Sequence, residues 1–462
     1  MILQQQKFVP SPSQRPHPVC FWGMKIAAGD KFEIIRDGAI VVESENIVAI
    51  GSSDSILKKN AKAERIDARG FIAIPGLINA HTHAPMGFFR GLGHGLDNMI
   101  ETFLFPAERF LTPDLIEPLS YSYICSGLRS GVTCFADHYY FSRGVARALD
   151  RFGVRGVVGE TVADLGGAFP SDGAWRNAQN LIEHWDFSSR IIPAIAPHAA
   201  DTVSLGLLKE MAQYSKKHQI PLHMHLSQTH GERTRVMKRE KISPVAFAKK
   251  AGALTPQSLL VHLVSADETD IKILRDSGGT AVICPTSQVI YEELAPIPFF
   301  FHYDVPIAIA TDCAASNDSS DIFSELKVSA VLFRDRLHHI PGKGKKRSPE
   351  KVEQFISPEH LLKMTTLYPA KALGLRQRIG SLACGKAADI VFIKDDITLE
   401  PSERLLTNLV YSASSAHVQH VMVEGKWVLW NREPTFIDAN EMTQGYENAV
   451  DEIKKRVRKR KR

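Results

Sequence analysis

The chain has 462 residues, of which 44% are hydrophobic, and a formal net charge of +5 at pH 7. A chain of this length can bury one large core and a smaller companion domain. It has no apolar stretch of the roughly 18 residues that a bilayer span requires, and its N-terminus lacks the charged and apolar regions of a signal peptide. These features argue against membrane and secretory classes, and we expect a cytoplasmic protein.

The positive charge is concentrated at the C-terminus. Eight Lys and Arg residues lie between Lys454 and Arg462, and without their eight charges the rest of the chain carries −3. Such a tail can contact RNA or an anionic membrane surface, but a solvated helix end is the simpler interpretation and the one we favour. Residues 453–462 are therefore treated as a basic tail, and a nucleic-acid partner is not expected.

The cysteines predict no disulfide framework. They form no C-x-x-C pair and lie mostly within apolar runs, so reduced, buried thiols are expected. The six are Cys20, Cys125, Cys134, Cys284, Cys313 and Cys384.

Both ends of the chain contain short strand-like segments separated by Gly and Asp turns, and together they predict a small β-sandwich domain from residues 1–69 and 379–452. Between them, short apolar strands alternate with helical stretches. This alternation favours an α/β fold with a (β/α)₈ TIM barrel over residues 70–378. The C-terminal ends of barrel strands share one rim, where active sites form.

Two histidines follow the apolar run Phe71-Ile-Ala-Ile-Pro-Gly-Leu-Ile-Asn-Ala80, which we interpret as one buried strand. Residues i and i+2 of a strand share a face, so His81 and His83 can reach one ion. A His-x-His pair in a loop is often incidental, so the interpretation depends on support from other segments.

Three further apolar runs end in residues suited to metal binding or proton transfer. One ends in His223 and His225, the next in His262, and the third in Asp312. Each residue alone is explained by a buried histidine or a helix-capping aspartate. Together, imidazoles and a carboxylate at successive strand ends favour one divalent ion, zinc first, with iron or manganese as alternatives.

Motifs in a fixed order extend over nearly the whole chain. They are Pro75-Gly-Leu-Ile-Asn-Ala-His-Thr-His83, Phe89-Arg-Gly91, Pro106-Ala-Glu108, Gly131-Val-Thr-Cys-Phe-Ala-Asp137, Pro197-His198, His223-Met-His-Leu226, Thr311-Asp-Cys-Ala-Ala-Ser-Asn317, and Gly380-Ser-Leu with Gly385-Lys-Ala-Ala-Asp389. In this order they resemble the metal-dependent amidohydrolase superfamily, in the branch of methylthioadenosine/S-adenosylhomocysteine deaminases and triazine chlorohydrolases, with aminofutalosine deaminases as relatives.

The resemblance implies a role for each matching residue. His262 would position the attacking water or the bound group, and Glu108 and His198 match positions that contact the substrate in nucleoside deaminases, the glutamate at the ribose hydroxyls. The implied metal ligands are His81, His83, His225 and Asp312.

The implied chemistry is hydrolysis of an exocyclic amino group on a purine-like ring. A divalent ion lowers the pKa of bound water toward 7, and Asp312 accepts the proton as hydroxide forms. Hydroxide attacks the ring carbon, and ammonia leaves once it is protonated, so a second acid is usually needed. Asp137 is expected to orient a ligand histidine, and His138 either packs against Tyr139 or contacts the substrate.

Gln228 departs from the family pattern, which has a glutamate three residues after the third histidine ligand. An amide can hydrogen-bond a ring nitrogen but cannot protonate it near neutrality. Three accounts stay open: Glu160 supplies the proton, the leaving group is one such as halide that needs none, or the protein binds a ligand without turnover. Glu160 is also explained as a helix cap.

The sequence therefore supports a metal-dependent hydrolytic deaminase of an adenine-type nucleoside as a hypothesis. Candidate substrates are S-adenosylhomocysteine, methylthioadenosine, adenosine and aminodeoxyfutalosine, and Glu108 favours a sugar. A triazine-type chlorohydrolase and a catalytically silent metal-containing binding protein are the alternatives. Since the family is often dimeric, a homodimer is expected.

Overall fold

The structure is a computed structural model that describes residues 3, 9, 11–171, 173–338 and 349–460. Its strands in chain order are β1 (Val19–Ala28), β2 (Glu33–Glu43), β3 (Asn46–Ser52), β4 (Glu64–Asp67), β5 (Phe71–Pro75), β6 (Leu77–Thr82), β7 (Val132–Tyr139), β8 (Arg155–Val162), β9 (Ile191–Pro197), β10 (Leu222–Leu226), β11 (Ser258–His262), β12 (Thr280–Ile283), β13 (Ile307–Ile309), β14 (Ile390–Lys394), β15 (Val418–Val423), β16 (Lys426–Trp430) and β17 (Glu433–Pro434).

The helices of the described residues cover the barrel and the loops between the two sheets. They are α1 (Ser53–Lys59), α2 (Phe105–Glu108), α3 (Pro113–Arg129), α4 (Arg143–Arg151), α5 (Ala174–Glu183), α6 (Leu205–His218), α7 (His230–Glu240), α8 (Pro244–Ala251), α9 (Glu268–Ser277), α10 (Pro285–Tyr291), α11 (Ile297–His302), α12 (Ile322–His338), α13 (Pro349–Glu353), α14 (Pro358–Lys363), α15 (Leu367–Ala372), α16 (Leu405–Tyr411) and α17 (Ala439–Arg460).

Parallel strands β6 to β13 form a barrel. Strands that follow one another in the chain are neighbours in this sheet. The first and last strands meet where Thr82 pairs with Asp312, and the Asp312 N–H donates to the His81 carbonyl at 3.2 Å. The strand side chains are almost all buried because they face either the barrel interior or the helices outside. The predicted (β/α)₈ barrel is confirmed, and its strand C-termini share one rim.

Strands from both chain ends form a second, separate sheet. Its order is β17-β16-β15-β14-β5-β1-β2-β3, with β4 beside β1. Phe21, Phe392 and Trp427 pack together in its core, with ring centroids 5.3 to 5.7 Å apart. The prediction of a small β-domain built from both chain ends is confirmed.

The apolar run from residue 71 to residue 80 is two strands, and the prediction of a single strand was wrong. β5 pairs with β1 and β14 in the terminal sheet, whereas β6 begins the barrel. Gly76 lies between them, and only glycine fits there, since a Cβ at this position would lie 2.1 Å from Thr133 Oγ1. The domain limits at residues 69 and 379 stay predictions, although β5 already belongs to the terminal sheet.

The last helix carries the basic tail. α17 lies against α3, and its Ala449 and Ile453 are buried. Arg456 Nη1 donates to Thr112 Oγ1 at 3.0 Å. Residues 461–462 of the tail lie outside the described residues. Within the described part of the chain, every helix is too short or too polar to cross a membrane.

Candidate active site

The predicted metal ligands meet at the C-terminal rim of the barrel. His81 is the second-last residue of β6 with His83 just beyond the strand, His225 lies in β10, and Asp312 follows β13. His262, the residue predicted to position the water, ends β11 beside them. Donor atoms of His81, His83 and Asp312 lie within 4.8 Å of one another, as do those of His81, His225 and His262. The parallel strands thus bring together residues that are far apart in the sequence.

The donor atoms converge in a way that fits a divalent ion. His83 Nε2 and His225 Nε2 are 3.2 Å apart, and Asp312 Oδ1 lies 3.5 Å from His81 Nε2. The Nε2 atoms of His81 and His262 are buried and have no hydrogen-bond partner. Buried polar atoms are rarely left unpaired. Imidazole nitrogens and one carboxylate oxygen around a common point are the ligands that zinc and similar ions prefer.

In three of these histidines, the other ring nitrogen, Nδ1, has a hydrogen-bond contact within the protein. His83 Nδ1 and His225 Nδ1 each hydrogen-bond a backbone carbonyl, the second at 2.8 Å. His81 Nδ1 lies 2.8 Å from His223 Nε2. These contacts orient the rings and leave their Nε2 atoms for a metal. His223, one of the strand-end histidines noted in the sequence, is therefore a partner of His81 in this structure.

Burial sets the protonation state of these histidines. Loss of hydration lowers the pKa of His81, His83 and His225, and it lowers the pKa of His262 to about 4. All four rings are neutral at pH 7, so their lone pairs are available to a metal without a proton having to leave.

Asp312 uses its two carboxylate oxygens differently. Ser287 Oγ–H donates to Oδ2 at 2.7 Å, while Oδ1 faces His81 and His83. Sequence reasoning missed Ser287, which lies 25 positions before Asp312 at the start of α10. The spacing between Ser287 and Asp312 along the chain gives no signal that would have found this contact.

Asp137 acts on the backbone beside His83 rather than on a ligand ring. Its Oδ2 accepts hydrogen bonds from Thr82 Oγ1 and from the Ala84 N–H, both at 2.7 Å. The residues on both sides of His83 are thereby fixed. The expected orientation of a ligand histidine is achieved through the chain rather than through a direct contact with the ring.

A cavity of about 610 Å³ opens beside the histidine cluster. It lies within the size range of cavities that enclose small organic ligands. Its walls include His83, His225, His262 and Asp312 together with the predicted substrate-contacting residues. The latter are Glu108 and His198, and Gln228, a candidate catalytic residue, also lines the cavity.

Glu108 and His198 enter this cavity in uncharged or nearly uncharged form. Burial raises the pKa of Glu108 to about 8, with the neighbouring Tyr139 hydroxyl acting in the opposite direction. His198 Nδ1 lies 2.8 Å from Thr202 Oγ1, and burial lowers the pKa of His198 to about 4. Both side chains are therefore suited to hydrogen-bond a polar, uncharged part of a ligand.

Gln228 lines the cavity from a fixed backbone segment. Glu232 Oε2 accepts the Gln228 N–H at 2.6 Å, and Oε1 accepts the Ser227 N–H at 3.0 Å. Sequence reasoning missed Glu232. The spacing Thr229-x-x-Glu232 ahead of a helix was the available signal, since Thr229 Oγ1 accepts the Glu232 N–H at 2.9 Å.

The Glu160 side chain lies outside the cavity that the histidine cluster borders. Its carboxylate accepts the N–H groups of Phe141 at 2.9 Å and Ser142 at 2.7 Å, just ahead of α4. It is absent from the cavity wall in the described part of the chain. Its oxygens are occupied by the turn that begins a helix, as the capping interpretation implies, and the catalytic role of Glu160 stays a prediction.

The comparison with protein families agrees with this geometry. The model of the Amidohydrolase family matches residues 72–428. The chain belongs to the amidohydrolase family. Among its relatives, a 5-methylthioadenosine/S-adenosylhomocysteine deaminase of Syntrophobacter fumaroxidans is 33% identical over 91% of this chain and 92% of the relative. A 5'-deoxyadenosine deaminase of Methanocaldococcus jannaschii is 31% identical over 89% and 95% of the two chains.

Solved structures of other amidohydrolases share the fold. An adenosine deaminase from Xanthomonas campestris with bound zinc superposes with a TM-score of 0.85 at 26% identity, covering 95% of this chain and 98% of that one. An atrazine chlorohydrolase from Arthrobacter aurescens complexed with zinc gives 0.82 at 22% identity, covering 94% and 100%. The second similarity shows the fold alone.

Proposed function

We propose that this amidohydrolase is a metal-dependent hydrolytic deaminase of adenine nucleosides. The observation that carries the proposal is the convergence of His81, His83, His225 and Asp312 beside a cavity that also holds Glu108. The relatives named above deaminate adenine nucleosides according to their names. A cavity of about 610 Å³ has room for a nucleoside with a substituent on its sugar.

The donor set would hold one divalent ion, zinc first, with iron or manganese as alternatives. When bound there, such an ion lowers the pKa of a coordinated water toward neutrality. Asp312 Oδ1 accepts the proton of the attacking water, because Ser287 occupies only Oδ2. His262 presents Nε2 to the same point and orients the water or the amino group being replaced.

Proton delivery to the leaving group is then assigned to Asp312. As the water oxygen adds to the ring carbon, Asp312 accepts one water proton and passes it to the ring nitrogen. Asp312 then accepts the remaining proton of the added oxygen and passes it to the departing amine, so that ammonia leaves and a carbonyl remains on the ring. With Glu160 outside the cavity, Asp312 is the carboxylate placed to return the proton that it has accepted. The Gln228 amide supports the adjacent ring nitrogen by a hydrogen bond without transferring a proton.

The proposal is tested by ammonia release from metal-loaded protein. The panel contains S-adenosylhomocysteine, methylthioadenosine, 5'-deoxyadenosine, adenosine and aminodeoxyfutalosine, with guanine and a chlorotriazine alongside. Ammonia from one nucleoside names the substrate. Chloride without ammonia supports the chlorohydrolase alternative, which Gln228 favours because halide needs no proton. Silence across the panel with metal bound supports a catalytically silent binding protein.

Asp312→Ala is the decisive variant for the mechanism. It removes both a metal ligand and the proton acceptor, so we expect ammonia release to fall by at least about 10²- to 10⁴-fold. Ser316→Ala is the matched control, since its hydroxyl lies at a longer 3.3 Å from Oδ2 and leaves the Ser287 contact in place. Unchanged activity in Asp312→Ala contradicts the mechanism.

Cytoplasmic location, a homodimer and the lack of a nucleic-acid partner stay predictions from the sequence.

A further inference from the structure

His138 lies at the site, and the proposed mechanism gives it no role. It is the second-last residue of β7, next to the strand that carries His81, and its side chain is fully buried. Its ring centroid is 4.6 Å from that of His225 and 5.9 Å from that of His83. Its ring is therefore close to the rings of two predicted metal ligands.

One ring nitrogen of His138 has a partner, and the other has none. Nε2 lies 3.3 Å from the Ala196 carbonyl oxygen, which can only accept, so Nε2 carries the proton. Nδ1 is then the nitrogen with a free lone pair. It is buried and has no hydrogen-bond partner, as is also true of Nε2 in His81 and in His262. A buried lone pair without a partner calls for a cation or a donor at that point.

The His138 ring also lies within reach of two predicted metal ligands. A nitrogen of His138, one of His83 and one of His225 lie within 4.8 Å of one another. A set of nitrogens at this spacing can bind a common ion. We infer that His138 Nδ1 is a further metal ligand in this chain, beyond the set formed by His81, His83, His225 and Asp312.

The additional imidazole has a consequence for the kind of metal. Zinc in protein sites is mostly four-coordinate, whereas iron, cobalt and nickel accept five or six ligands and bind imidazole well. A shell of four imidazoles and a carboxylate therefore suits a five- or six-coordinate ion. Metal binding by this protein then depends on His138.

The test uses cobalt(II)-loaded full-length protein. Ligand-field absorption of cobalt(II) weakens as its coordination number rises above four, so it reports the number of ligands without any substrate. We expect weak bands in the wild-type protein and a several-fold gain in intensity for His138→Leu. Competition with a chelator measures affinity, which should fall at least about tenfold in His138→Leu.

His198→Leu is the matched control. His198 lines the same cavity, its Nδ1 contacts Thr202 Oγ1, and its side chain belongs to none of the donor groups found in the described residues. Its band intensity and cobalt affinity should equal those of the wild type. His138→Phe is the second variant, since it keeps an aromatic ring without a nitrogen. Circular dichroism of each metal-free protein identifies any variant that does not fold.

The outcomes separate this inference from the proposed function, on which it depends only for the presence of a metal. If folded His138→Leu or His138→Phe keeps the wild-type spectrum and affinity, the inference is overturned while the deaminase proposal stands. If the wild-type protein binds no divalent ion, both are overturned. Weaker cobalt binding in the chelator competition, together with stronger bands, in the His138 variants but not in His198→Leu supports the additional ligand.

Discussion

At the scale of single residues, Gln228 and Glu108 present their side chains to the same cavity but differ in what they can do with a proton. The Gln228 amide donates and accepts hydrogen bonds but has no proton to transfer near neutrality. Glu108 is 4% exposed, and burial raises its pKa to about 8. At neutral pH the glutamate is therefore mostly protonated and can donate a hydrogen bond to a sugar oxygen.

Gln228→Glu tests whether proton delivery limits turnover. The backbone of residue 228 is fixed by Glu232, so the new carboxylate occupies the direction of the present amide. We expect ammonia release to rise by about 10- to 100-fold, because a group able to protonate the ring nitrogen is added. Gln228→Asn is the control that keeps an amide. A Gln228→Glu protein as inactive as its parent on every nucleoside favours the silent binding alternative.

Glu108 gives the protein a pH dependence of stability. Its pKa is about 8 in the folded state against 4.5 for the exposed side chain. The folded state thus retains a proton that the unfolded state has released, and the free energy of unfolding falls as pH rises from about 5 to about 8. The loss is on the order of 3 kcal/mol.

Glu108→Gln should remove this part of the pH dependence. Urea unfolding of metal-loaded protein at about pH 5 and pH 8 measures the difference, with the exposed cavity residue Glu101→Gln as the control. An equally steep fall of stability in Glu108→Gln and in wild type means that another group is responsible.

At the level of secondary-structure elements, glutamate carboxylates stabilise two loops near the site, each just ahead of a helix. α7 begins just after Gln228, and its Glu232 carboxylate binds two N–H groups of the preceding segment. Ser227 in that segment has a φ of 54°, a conformation that side chains rarely adopt and that needs such support. Glu160 does the same for the turn before α4, so the two glutamates stabilise loops in the same way.

Glu160→Ala tests the structural role of that residue. Two N–H groups lose their acceptor, so we expect the free energy of unfolding to fall by about 1–2 kcal/mol while kcat stays within about twofold. Chemical denaturation and the ammonia assay measure the two effects. Glu160→Gln, which keeps an acceptor oxygen, is the control. A loss of kcat in both variants without a loss of stability supports a catalytic role for Glu160 instead.

At the scale of the whole molecule, a buried ion cluster joins the barrel to the terminal sheet. Arg155 in β8 is 1% exposed and donates to both oxygens of Asp389, each at 3.1 Å. It also donates to Glu424 at 3.1 Å, in the turn between β15 and β16. Asp389 ends one of the motifs that carried the family resemblance, and this contact gives a physical reason for an aspartate there.

Arg155→Met should destabilise the protein strongly. It leaves the buried Asp389 carboxylate without its cation, a change that costs about 3–5 kcal/mol in other proteins, whereas Glu424 keeps its contact with Arg378 at 2.7 Å. Denaturant unfolding measures the loss. The control is Arg275→Met, because Arg275 pairs with Asp276 on the surface at 2.7 Å and such pairs contribute little. Equal stability of the two variants contradicts a role of the cluster in joining the sheet to the barrel.

The sequence by itself determined the barrel, the terminal sheet and the set of residues at the rim. Alternating strands and helices specify parallel strands, and parallel strands place their C-terminal ends together. Polar residues at the ends of several apolar runs, such as His81, His225 and Asp312, therefore had to meet. The order of the strands and their common direction can be predicted without knowing how the side chains pack.

Only the tertiary structure decided which atoms face the site and which are used elsewhere. His223 lies 142 positions from His81 and hydrogen-bonds it, Ser287 holds one oxygen of Asp312, and Glu160 turns away to a helix start. The run from residue 71 to residue 80 divides at Gly76 because β5 pairs in the terminal sheet and β6 pairs in the barrel. These contacts depend on side-chain rotamers and on packing between distant segments, and no periodicity or spacing along the chain encodes either.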